Sequence, residues 1–113
     1  MSVRRSRDEA AARLAAGVAS YGLDVALDDI VGHERGAASV AFARQVAMYL
    51  CHVAFELSLA RVAIAFGRDR STVAHACHVI EDRREDELFD GWIDALEAML
   101  REAPAPADFA EAS

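Results

Sequence analysis

The stretch "SLARVAIAFGRDRSTVAHACHVIE", Ser58 to Glu81, decides the fold of this chain. Ser58 stands before an apolar-periodic run, where a hydroxyl can cap a helix, and Leu59, Val62, Ala63 and Phe66 recur at helical spacing. Gly67 comes next, the residue type that ends helices in the left-handed conformation. Asp69 is placed to cap a second helix, its carboxylate accepting the backbone N–H of Ser71 or Thr72. Val73, Ala76, Cys77 and Ile80 mark the inner face of that helix. Two short helices joined by a tight turn with Gly make a helix-turn-helix pattern. What needs a reason is the mouth of the second helix, where two arginines, an aspartate and two hydroxyls are gathered.

The same helical period extends in both directions. Leu14, Ala15, Val18 and Tyr21 form a stripe that predicts a first helix from about Asp8 to Tyr21, ending near Gly22 and preceded by a flexible basic arm over residues 1–7. "LDDIVG" predicts a short second helix capped by Asp24 or Asp28 and closed by Gly32. "HERGAAS" reads as a loop. Ser39 is the expected cap of a long helix to about Phe55, with Phe42, Val46, Tyr49, Leu50 and Val53 inward. After "EDRREDELFD", read as a solvated junction, a last helix spans about Leu88 to Leu100. Phe66 and Trp92 are expected to be buried; Trp92 shares its stripe with Phe89, Ile93, Leu96 and Leu100. Residues 101–113, with Pro at two alternate positions and no periodicity, read as a disordered Ala/Pro/acidic tail. The reading is thus one all-α domain over residues 8–100, of about six helices, with its helix-turn-helix at about 58–84.

Composition narrows the classes. At 113 residues the chain is one small domain. No apolar run of 18 residues occurs and no signal-peptide core follows the basic start, so a cytoplasmic protein without membrane contact is expected. Cys51 and Cys77 lie within apolar helical patterns and read as small core residues. The net charge of −7 argues against a general nucleic-acid binder, but its distribution is uneven. Residues 1–32 sum to −1, residues 33–80 to +2, and residues 81–113 to −8. Enzyme and metal chemistry find no convergent set. Cys77 points inward while His75 and His78 point outward, and the adjacent Cys51 and His52 diverge on a helix. Neither a metal nor a cofactor nor a small-molecule substrate is expected.

"ARQVAMYL", "SLARVAIAFG" and "RDRSTVAHACHVIE" together resemble the C-terminal, origin-box-reading domain of DnaA, the bacterial replication initiator. That family's signature reads roughly Arg-Asp-His-Thr-Thr-Val, then His-Ala. Arg68, Asp69, Ser71, Thr72, Val73, His75 and Ala76 fit it, and Arg44 and Gln45 fit the pair that opens the family's long helix. The upstream "VALDDIVG" is similar to the family's short second helix, and the resemblance runs from about Leu14 to Arg84. It implies the all-α, TrpR-like fold of DnaA domain IV. Three departures stand out. Arg70 replaces the family's His, one Gly is missing before Arg68, and the family's arginine-rich loop is replaced by "GHERGAAS", where only His33 and Arg35 remain basic. Major-groove reading is therefore implied more firmly than minor-groove reading. No Gly-x-x-x-x-Gly-Lys-Ser/Thr loop occurs, and a chain without lysine cannot make one, so the expectation is a stand-alone copy of the reading domain without the initiator's ATPase.

The resemblance implies roles for individual residues. Asp69, Arg70, Ser71, Thr72 and His75 are candidate base readers. Arg44, Arg61 and Arg68 are candidate phosphate clamps, and Arg35 is the candidate minor-groove contact. The function expected is sequence-specific binding of double-stranded DNA, at an origin-type box or a promoter, in regulation of replication initiation or transcription at the bacterial nucleoid. The alternative is a protein-interaction module that keeps the fold and binds the initiator or one of its regulators. The −8 C-terminal third favours that alternative; the charged helix mouth favours DNA.

Overall fold

The computed structural model describes residues 2–34 and 36–103. Its elements are α1 (Val3–Leu23), α2 (Leu27–Val31), α3 (Ala38–Ala54), α4 (Leu59–Phe66), α5 (Arg70–Arg83) and α6 (Glu87–Glu102), with no strand among the described residues. Helix α3 runs through the middle and touches all five others. Its buried run from Val46 to Cys51 is apolar on nearly every side because neighbours cover it from every direction.

Helix α1 packs on α3 and on three other helices and buries a ridge of small side chains, Ala11, Ala12, Ala15, Ala16 and Ala19. Alanines let neighbouring backbones approach closely, and they form helix without loss of side-chain entropy. Three expectations change here. The arm predicted over residues 1–7 is helical from Val3, because Ser2 caps it by accepting the Arg5 N–H at 3.1 Å. Tyr21, predicted inward, is exposed, since the true inner face follows the alanines. The helix ends not at Gly22 but one residue later, with Asp24 in the left-handed region at φ 54°.

The predicted caps of α2 and α3 are also revised. Ala26 and Ala37 occupy the capping positions with no side-chain hydrogen bond, and Asp28 and Ser39 lie inside the first turns. Phe42, Val53 and Cys77 are only partly buried, while Val46, Tyr49 and Leu50 are buried as predicted. In α6, Ile93, Leu96 and Leu100 form the inner face. Phe66 is buried, but Trp92 is half-buried: its ring tilts against Phe89 with centroids 5.6 Å apart and covers Gly22 of α1. Arg101 is helical rather than part of the tail, and it ties the end of α6 to α3 by donating to the Val53 carbonyl at 3.2 Å. Glu102 closes the same helix and Ala103 follows as its cap, while the predicted tail from residue 104 on, and Arg35, lie outside the described residues.

"EDRREDELFD", predicted to be a solvated junction, is exposed at most of its positions, but it is also tied into a corner that the sequence did not show. Asp86 caps α6 by accepting the N–H groups of Leu88 and Phe89 at 2.9 and 3.2 Å. Arg84 donates to Asp90 at 2.5 Å, to the Tyr49 hydroxyl at 2.9 Å, and to Asp94. The Tyr49 hydroxyl in turn donates to Glu81 at 2.8 Å. Burial, and then the Glu81 carboxylate, push the Tyr49 phenol up to about 12. Arg83 lies over the Phe42 and Phe89 rings, 4.6 and 4.9 Å from their centroids.

Candidate nucleic-acid interface

Helix α4 starts as predicted, with Ser58 accepting the Arg61 N–H at 3.2 Å. It stops at Gly67, which sits at φ 65°. The Arg68 N–H donates back to the Ala63 carbonyl at 2.9 Å, closing the left-handed end. A side chain at Gly67 would meet more than backbone strain, because its Cβ would lie 2.9 Å from the His33 ring. The loop before α3 is thereby packed onto the turn.

Asp69 holds the capping position of α5 in extended conformation, and its backbone carbonyl receives the Thr72 and Val73 N–H groups at 3.0 and 3.2 Å. Its carboxylate makes no cap hydrogen bond, contrary to expectation. The mouth of α5 therefore presents a free carboxylate beside backbone N–H groups that have no intrahelical acceptor. Asp69, Arg70, Ser71, Thr72 and His75 are all exposed and lie on one end of one helix, so the structure brings the five candidate base readers together. His78, absent from that set, is also exposed. It lies three residues past His75, a spacing that puts the two on one face, and it pairs with Asp82 at 3.4 Å.

The three candidate phosphate clamps are placed differently. Arg61 forms a two-pronged pair with the buried Asp8 carboxylate, at 2.9 and 2.7 Å, and so locks α4 to α1. Arg44 donates to the carbonyls of Ile30, Asp29 and Glu34, at 3.0, 2.7 and 3.3 Å, which holds the end of α2 and the following loop. Arg68 donates to the Gly32 carbonyl on the same loop, and its Nε is buried with no partner among the described residues. Burial, and then the neighbouring Arg68, lower the Arg44 pKa from its ordinary value, against the pull of Asp29. These guanidiniums are internal ties. Sequence alone could not show it, because the acceptors are backbone carbonyls and a distant carboxylate.

Six helices around a central α3, with a glycine-turned helix pair at one end, define a helix-turn-helix binding domain, a class that recognises partners rather than transforming them. The family described as the bacterial dnaA protein helix-turn-helix matches residues 16–80. The chain belongs to that family. Among similar proteins, the chromosomal replication initiator DnaA of Bifidobacterium animalis subsp. lactis is 38% identical over 87 residues, covering 75% of this chain and 15% of the relative. The DnaA of Tropheryma whipplei (strain Twist) is 42% identical over 59 residues, covering 52% of this chain and 12% of the relative. A crystal structure of a DNA replication initiation factor superposes with a TM-score of 0.76 at 26% identity, over 88% of this chain and 30% of that one. The chain thus spans 12–15% of the length of those two initiators.

Proposed function

We propose that this chain is a sequence-specific double-stranded DNA-binding module that regulates replication initiation or transcription, acting at the bacterial nucleoid on an origin-type box or a promoter. One observation carries the reading: Asp69, Arg70, Ser71, Thr72 and His75 stand exposed together at the start of α5, in a domain of the DnaA helix-turn-helix family. A recognition helix enters the major groove by its N-terminal residues, and these residue types match what base edges offer. Hydroxyls meet phosphate or either base, the threonine methyl meets the thymine methyl, and a carboxylate accepts from the cytosine amino group.

A second reading, a module that binds the initiator or a regulator in place of DNA, is favoured by the engagement of Arg44, Arg61 and Arg68 within the fold. Selection from a pool of random duplexes at low and moderate salt separates the two. Enrichment of one short motif, lost in Thr72→Ala while the far-UV helical signal holds, supports DNA reading. No enrichment at either salt refutes it and leaves the interaction module, whereas an enriched motif bound equally by Thr72→Ala and Arg70→Ala means that the mouth of α5 is not the reading surface.

A further inference from the structure

Arginine is the side chain best suited to DNA, and this fold engages nearly all those around its helix-turn-helix. Arg44 and Arg68 hold loop carbonyls, Arg61 holds Asp8, Arg83 lies over two rings, and Arg84 ties Tyr49 to α6. Arg70 differs. It is the first residue of α5, it is exposed, and it has no hydrogen bond or ion pair among the described residues. It does not serve the helix, because a cation at a helix N-terminus opposes the macrodipole. Side chains lean toward the N-terminal end of their helix, so a guanidinium at this position reaches beyond the mouth.

Its neighbour decides what it can take. The Asp69 carboxylate, free of the cap, repels phosphate, so this pair is poorly suited to clamp the backbone. The major-groove edge of a G·C pair offers what the pair needs: two adjacent acceptors, guanine O6 and N7, for a planar guanidinium fork, and a cytosine amino donor for a carboxylate. We infer that Arg70 sets the base preference of this domain by taking guanine O6 and N7 of a G·C pair whose cytosine amino group faces Asp69. The inference rests on the DNA-binding reading and goes beyond it, since it names the residue, the base and the atoms.

The test starts from the motif that the parent protein selects. Each base pair of that motif is varied in turn and titrated against the parent, Arg70→Ala and Arg70→Lys. The expected parent preference for guanine at one position is about 5- to 150-fold, the range of a bidentate arginine contact. Arg70→Ala should erase it at that position alone, with preferences elsewhere intact. Arg70→Lys should regain affinity but not the full preference, because an ammonium has no fork. Two results overturn the inference while leaving DNA binding in place. One is an Arg70→Ala that weakens all sequences by one factor and reduces the salt slope by about 1, the mark of a phosphate contact. The other is an unchanged preference profile. A parent that selects no motif overturns the DNA reading itself. Arg70 is exposed, so a retained far-UV signal in both variants confirms that folding is not what changed.

Discussion

Replacing Arg84 tests whether the corner between α5 and α6 is held by one guanidinium. Four groups converge on it: the Tyr49 hydroxyl at 2.9 Å, Asp90 at 2.5 Å, Asp94, and Glu97 at 3.7 Å. Arg84 itself is mostly buried, with 19% of its side chain exposed. The partners differ in weight. Asp94 is 60% exposed and Asp90 42%, so water screens both, and each contributes on the order of 0–1 kcal/mol. Tyr49 is buried, and losing a hydrogen bond from a charged donor there costs roughly 1.5–3 kcal/mol. Glu97 keeps Arg101 at 2.5 Å, so it is not left alone. Arg84→Ala should therefore lose about 3 kcal/mol, roughly one such bond plus the two screened pairs. Arg84→Lys should recover part of that, since an ammonium cannot reach Tyr49 and the α6 carboxylates in one geometry. Urea unfolding followed by Trp92 fluorescence and far-UV dichroism measures both variants. A loss under about 1 kcal/mol for Arg84→Ala would show a solvated corner whose ion pairs are of the weak surface kind.

Gly67→Ala should destabilise by at least about 1–2 kcal/mol from left-handed backbone strain alone, before its clash with His33, and a urea midpoint equal to the parent's would contradict the turn geometry. Leu100→Ala, at a fully buried site, should cost about 2–5 kcal/mol in the same assay, and a smaller loss would mean that the end of α6 is not docked. Burial raises Cys51 to about 12 and Cys77 to about 11, and burial followed by the Glu81 contact raises Tyr49 to about 12. The unfolded chain then releases these protons first, so the contribution of these three groups to stability should be constant below about pH 8.5 and fall from there toward pH 12. Cys51→Ala should flatten the early part of that fall, and an identical alkaline profile would count against it. Binding to the selected duplex should show a log–log salt slope no steeper than about −2, because Arg70 is the one arginine of α4, α5 and their turn left unengaged among the described residues, and a helix mouth neutralises few phosphates; a slope near −4 or beyond would mean that the engaged arginines let go of the fold to bind DNA.

The helix-turn-helix was legible because its signals are local. Ser58, the apolar spacing of Val62, Ala63 and Phe66, and Gly67 each act within a turn of their own position, and each is found in its predicted role. The caps of α2 and α3 were not legible. Alanines hold those positions, so tertiary packing rather than side-chain hydrogen bonding starts the helices. The inner face of α1 was misread for a related reason. Alanine is apolar but small, and a ridge of alanines competes poorly in a periodicity reading with Tyr21, which faces water. For the candidate site, the exposed face of α5 could be placed from helical spacing alone. The loss of Arg44, Arg61 and Arg68 to internal ties could not, since their partners lie 10 to 53 residues away.

Those ties bear on how such a domain would discriminate. A protein that binds through many lysines and arginines gains affinity for any duplex, and its specificity must be won over that background. Here lysine is absent, the net charge is −7, and Arg44, Arg61 and Arg68 grip carbonyls and a carboxylate of their own chain. Under the proposed function, the sequence-independent attraction is correspondingly weak. What remains at the helix mouth is directional: one guanidinium fork, one carboxylate, two hydroxyls and an imidazole, each demanding a particular partner. Under the proposed function, the same arginines act at one remove. Arg44 and Arg68 fix the loop against the turn, and Arg61 fixes α4 against α1, so the reading residues of α5 start from a rigid frame. Affinity for DNA in general is low in such an arrangement, and selectivity among sequences rests on a few contacts at the end of one helix.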